Sequence, residues 1–163
     1  MATTKENFET AFAGESQANR KYLMFAEQAD KEGYPGVAKL FRAAAAAETI
    51  HAFAEFRANG GVGTTAQNLQ AGIDGETFEF TQMYPPMVDQ ANAEGNKNAA
   101  RIFRFAKEAE KVHATLYKEA LADMKGADGV DYYVCPICGY IHKGKPTGNC
   151  PICGAKPDIF KKF

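Results

Sequence analysis

A mainly α protein, a four-helix bundle followed by a small cysteine-rich domain, is predicted by three observations. Residues 4–125 are rich in Ala and Glu and hold only three prolines, Pro35, Pro85 and Pro86. That stretch breaks at glycines, at 33–35, 60–63 and 95, into long segments with helical periodicity. All four cysteines lie between Cys135 and Cys153, where Gly, Pro and Tyr replace Ala and Glu. A chain of 163 residues supports one good core plus an appendage and excludes a large multidomain enzyme.

The first helix opens with Thr3 and Glu6 in capping-box spacing and is expected to run to about Glu32. The others are expected over 36–59, 74–94 and 97–125, with a longer loop over 60–73. Helices of this length, joined mostly by short turns, bury their apolar stripes only against one another. Pro85 and Pro86 are expected to kink the third helix. The domains are then 1–126 for the bundle, 127–131 for a linker and 132–163 for the cysteine module.

Charge is nearly balanced, with 19 basic and 20 acidic residues, and 45% of residues are hydrophobic. This composition fits an ordinary folded protein and implies no general affinity for nucleic acid or membrane. The polar start MATTKENFETAF and the absence of a long apolar run predict neither signal peptide nor membrane span, so a cytoplasmic location is expected. Residues 1–126 carry 14 basic and 17 acidic side chains, and 127–163 carry 5 and 3, giving about −3 and +2.

Cys135-Pro-Ile-Cys138-Gly and Cys150-Pro-Ile-Cys153-Gly form C-x2-C-x11-C-x2-C. Each knuckle aims two thiolates at one point, and two knuckles make a tetrahedral four-sulfur site. With few core candidates (Tyr132, Tyr133, Tyr140, Phe160, Phe163), the module needs a metal for much of its stability. Four sulfurs alone suit structural zinc or redox iron. The string Tyr-Val-Cys-Pro-Ile-Cys-Gly-Tyr resembles rubredoxin, whose iron carries one electron at a time.

The bundle carries carboxylates where its stripes should be apolar. Glu15 lies amid the stripe of the first helix, Glu48 and His51 follow Leu40, Phe41 and Ala44, Glu76 and Glu79 accompany Phe80 and Met83, and Phe103 and Tyr117 bracket Glu110 and His113. Each E-x-x-H or E-x-x-E pair spans nearly one turn, so both side chains point at one spot. Glu15 to Glu48 spans 33 residues and Glu76 to Glu110 spans 34, so the halves read as a repeat of one helix hairpin. Five carboxylates converging inside a bundle repel prohibitively unless cations compensate them or most are protonated. A di-iron or di-manganese site resolves this, and single glutamates with two E-x-x-H pairs are the ferritin-like ligand pattern.

Over essentially its whole length the chain resembles the rubrerythrin family: Gly14-Glu-Ser-Gln-Ala-Asn-Arg-Lys-Tyr22, Glu76-Thr-Phe-Glu79, Met83-Tyr-Pro-Pro86 and the rubredoxin-like module stand in the family's order. The resemblance implies a ferritin-like bundle with two irons held by Glu15, Glu48, His51, Glu76, Glu79, Glu110 and His113, and one iron held by Cys135, Cys138, Cys150 and Cys153. It implies that Tyr22 and Tyr84 hydrogen-bond the ligand carboxylates.

The implied activity is a non-haem peroxidase acting in oxidative-stress protection, taking hydrogen peroxide to water with electrons relayed through the four-cysteine iron. An external reductase working from a nicotinamide cofactor, or a rubredoxin, must supply them, because the chain has no dinucleotide-binding glycine motif. A homodimer is implied, one subunit's four-sulfur iron serving the other's iron pair. Reduction is expected to exchange one ligand, Glu79 binding the oxidised metal and imidazole of His51 the reduced one, because two positive charges are lost. A ferroxidase or iron-storage protein, or a redox-silent protein with structural zinc at the cysteines, are the alternatives.

Overall fold

A computed structural model describes all residues 1–163, which form two compact units, 1–63 and 64–163. The first is a helix hairpin of α1 (Thr4–Lys31) and α2 (Pro35–Ala58). Thr3 caps α1 as its spacing predicts: its hydroxyl accepts from the Glu6 amide at 3.2 Å, and Glu6 accepts from the Thr3 amide at 2.7 Å. Gly33, at φ 83°, makes the left-handed turn out of α1, and Pro35 starts α2, where its missing N–H costs nothing.

The hairpin is closed by small residues. Ala26, Ala29 and Ala38 form its buried core with Phe41 against them, while Ala45 and Ala52 are also buried. Asn19 bridges the helices, donating to the Ala45 carbonyl at 2.7 Å and to the Thr49 hydroxyl at 2.9 Å.

The second unit holds α3 (Thr65–Phe78), a π-helical turn (Glu79–Met83), α4 (Tyr84–Ala93), α5 (Lys97–Ala122) and the cysteine module. One expectation is corrected here. The loop expected over 60–73 is mostly helix, because Thr64 and Gln67 make a second capping box that starts α3 nine residues early. The third helix carries, in addition, a π turn just before Pro85 and Pro86. The Tyr84 N–H bonds the carbonyl of Glu79, five residues back, and Pro85 and Pro86 follow with no N–H to offer. The extra residue so inserted rotates everything after it relative to α3.

The module folds as a small antiparallel sheet, ordered β2 (Ile141–Lys143), β1 (Tyr132–Val134), β3 (Lys161–Lys162). Its core is Cys135, Cys138 and Cys150 packed with Tyr140, Ile152, Phe160 and, from α5, Phe105. No helix is long and apolar enough to cross a membrane.

Candidate metal centres

The two cysteine knuckles share one geometry. Gly139 and Gly154, at φ 78° and 76°, donate back to the carbonyls of Cys135 and Cys150 at 3.0 and 2.9 Å. A Cβ at either position would be strained in the left-handed region, which is why each knuckle ends in glycine. The turns bring Cys135 Sγ within 3.6 Å of Cys153 Sγ and Cys138 Sγ within 3.5 Å of Cys150 Sγ. A tetrahedron with metal–sulfur bonds of about 2.3 Å has edges of about 3.8 Å, so the four thiols enclose the volume of one metal ion. Burial pushes the Cys138 thiol far above its usual range. Burial likewise raises Cys153, whereas at Cys150 burial is outweighed by backbone hydrogen bonds from Cys153 and Ile152, which lower it, and a bound cation would favour the thiolate form at all four.

In the α1–α2 hairpin Glu15, Glu48 and His51 converge, their ligand atoms all within 4.8 Å. His51 Nδ1 lies 3.1 Å from Glu48 Oε2 and 3.7 Å from Glu15 Oε2. A hydrogen bond between the two carboxyls raises Glu15 and lowers Glu48, so the pair shares a proton. Tyr22, two turns along from Glu15, packs near Phe41 with ring centroids 6.1 Å apart.

Glu76, Glu110 and His113 make the equivalent cluster in the second unit, again within 4.8 Å. Burial and the Glu110 charge push Glu76 up to about 7. Burial also works to raise Glu110, but the bond and charge of His113 outweigh it, and the Glu110 carboxyl is held low. His113 Nδ1 lies 2.6 Å from Glu110 Oε2, while its Nε2 donates to the Gly139 carbonyl at 2.9 Å. Because that carbonyl only accepts, Nε2 carries the proton and Nδ1 is the nitrogen available to a metal. His51 has no such tether and its side chain is 56% exposed, against 16% for His113.

Glu79 stands outside the tight three-residue group, at the first position of the π turn. Burial and then the Glu110 charge raise it. Tyr84 sits at the other end of that turn, its ring 6.4 Å from Phe103, and burial and the charges of Glu110, Glu79 and Glu76 keep its phenol protonated. Tyr117, which the resemblance did not mark, also feels Glu76 and Glu110. Its signal in the sequence is its spacing, seven residues after Glu110 as Tyr22 is seven after Glu15.

Hard carboxylate oxygens with imidazole suit iron or manganese, and four thiolates suit iron or zinc. The fold and these two donor sets define a class: a ferritin-like carboxylate bundle joined to a rubredoxin-like metal module. A family model described as rubrerythrin matches residues 6–121, and one for the rubrerythrin rubredoxin-like domain matches 133–161. Nigerythrin of Nitratidesulfovibrio vulgaris is 39% identical, the alignment covering 100% of this chain and 88% of the relative. Rubrerythrin-2 of Clostridium acetobutylicum is 36% identical, covering 99% and 97%. Among solved structures, partially reduced nigerythrin matches with TM-score 0.61 at 39% identity, covering 100% of this chain and 88% of that one. The chain belongs to the rubrerythrin family, di-iron proteins of oxidative-stress defence. Its cofactors are two irons in a carboxylate–histidine site and one iron in a four-cysteine site.

Proposed function

We propose that this protein reduces hydrogen peroxide to two waters in the cytoplasm, consuming two electrons and two protons at the carboxylate site, with electrons entering singly through the cysteine module. The observation that carries the reading is the His113–Gly139 hydrogen bond. It joins the residue after Cys138 to an imidazole whose other nitrogen faces Glu76 and Glu110, so the module abuts the carboxylate cluster of its own unit. A ferroxidase has no use for that contact. Beside the expected service of one subunit's module to the other's iron pair, this contact supports a route within the chain, to the Glu76–Glu110–His113 cluster.

In this reading Glu15, Glu48, His51, Glu76, Glu79, Glu110 and His113 hold the iron pair, and Cys135, Cys138, Cys150 and Cys153 hold the single iron. When bound, the pair supplies two adjacent redox centres able to take up both peroxide oxygens and deliver two electrons. His113 is fixed as an Nδ1 ligand by its Nε2–H bond to Gly139. Tyr22 and Tyr84 serve as hydrogen-bond donors to the ligand carboxylates. Tyr84 retains its proton in the field of Glu110 and Glu79, so its O–H remains a donor at neutral pH. An external reductase or a rubredoxin feeds the module, and the protein works as a homodimer.

Stopped-flow mixing of the anaerobically reduced, iron-loaded protein with hydrogen peroxide or with oxygen tests the proposal. Oxidation by peroxide is expected to be far faster. Equal or faster oxidation by oxygen supports the ferroxidase alternative, and zinc at the cysteines on metal analysis of the native protein supports the redox-silent one.

A further inference from the structure

We propose that Tyr117 is a positioning residue of the two-metal site, its hydroxyl donating to the carboxylate of Glu76 from the side of the cluster opposite Tyr84. Two facts of geometry point there. Tyr117 follows Glu110 by seven residues and His113 by four, so it lies on the same face of α5, one and two turns beyond the ligands. Its ring rests on Gly72, which precedes Glu76 by four residues on the antiparallel α3; a Cβ at Gly72 would sit 3.1 Å from the ring. Gly72 is thus the floor on which the partly exposed ring rests.

Side chains on a helix lean toward its N-terminus, and along α5 that direction runs from Tyr117 back to His113 and Glu110. The hydroxyl is therefore carried from the level of Gly72 toward that of Glu76. The phenol environment agrees: burial, then the charges of Glu76 and Glu110, keep Tyr117 protonated and a donor.

Tyr84 approaches from the other side. It lies eight residues after Glu76, and the π turn absorbs the extra residue, so it falls on the face that a seven-residue spacing would select. Phe103, its ring neighbour, precedes Glu110 by seven. The Glu76–Glu110–His113 cluster is bracketed by two phenols, one made accessible by a π turn and the other by a glycine.

Holding a ligand carboxylate through a hydrogen bond fixes its orientation and withdraws electron density from it. Losing the donor loosens the ligand and makes it more basic, which favours the oxidised metal. The test uses the full chain in four forms: wild type, Tyr117→Phe, Gly72→Ala and the double variant. Manganese(II) affinity is read by calorimetry, and the reduction potential of the iron pair by anaerobic titration.

Tyr117→Phe is expected to lower manganese affinity about tenfold or more and to move the potential negative. Gly72→Ala pushes the ring aside by a few tenths of an ångström and is expected to reproduce part of both changes. In the Phe background the same Gly72→Ala change is expected to leave the potential where Tyr117→Phe alone put it. Wild-type affinity and potential in Tyr117→Phe overturn the proposal, as does a Gly72→Ala shift in potential that persists undiminished without the hydroxyl. These readouts stand whether peroxide or oxygen is the oxidant.

Discussion

Replacing Ala109 with Leu should disconnect the two metal centres without touching a ligand of either. Ala109 is 2% exposed, and a Cβ on Gly139 would lie 4.0 Å from its own Cβ. That is ordinary van der Waals separation, so three added carbons have no free volume to enter. Holding them in place strains the contact by about 1–3 kcal/mol. Moving the module away instead forfeits the His113–Gly139 bond, about 1 kcal/mol net. It also breaks the Lys143–Glu119 pair, 3.3 Å apart and with both side chains about half exposed, contributing at most about 1 kcal/mol. The two responses cost similar amounts, and the bond is the more fragile party. It is 2.9 Å long, and a displacement of about 0.6 Å carries it past hydrogen-bonding distance.

The assay compares two rates on iron-loaded Ala109→Leu. Steady-state peroxide turnover with an external reductase is expected to fall at least tenfold. A single oxidation of the chemically reduced protein by peroxide should be slowed much less than turnover, because all the carboxylate and histidine ligands are present and only the Gly139 bond that orients His113 is lost, and the visible spectrum of the cysteine iron should be unchanged. Ala109→Ser, close in size, serves as the control with normal turnover. Wild-type steady-state turnover in Ala109→Leu would refute the route through His113 and Gly139.

Other expectations follow from the same geometry. Cys138→Ser should leave a folded bundle that binds two irons and reacts once with peroxide after chemical reduction, yet does not turn over with a reductase; unchanged turnover removes the module from the mechanism. Glu76 in the metal-free protein titrates near 7 against an ordinary 4.5, so the folded state holds this proton more tightly than the unfolded chain. Metal-free stability should fall as pH rises from about 4.5 to 7, while manganese affinity, which requires loss of that proton, should rise over the same window in calorimetric titrations. Untethered His51 is free to exchange with Glu79 where His113 is not: crystal structures of the reduced and oxidised protein should show one iron bound by His51 when reduced and by Glu79 when oxidised. Iron still within ligand distance of Glu79 after verified reduction would sink the exchange.

Local features were readable from residue order because their geometry is fixed within a turn or two of chain. The knuckle glycines follow their cysteines by one residue, and Thr3 and Glu6 satisfy each other across one helical turn. Glu48 with His51, and Glu110 with His113, share a face because three residues make nearly a full turn. The same logic was available at Thr64 and Gln67, but the expected loop was carried on from the glycine break at 60–63 to residue 73, whereas the capping box and packing against α5 hold 65–73 in helix despite Gly72.

Four long helical segments, the family, the donor types and their grouping into one cysteine cluster and repeated carboxylate–histidine sets were therefore determined by the sequence alone. Tertiary structure decided how those groups address one another. A π turn sets the phase of Tyr84, whose N–H bonds the carbonyl of Glu79 five residues back, and no short-range pattern in the sequence marks that turn. Gly72 meets Tyr117, and Gly139 meets His113, across 45 and 26 residues of chain. No spacing rule reaches so far, since such contacts are selected by how whole helices and the module pack, where many weak interactions sum and no single residue type announces the result.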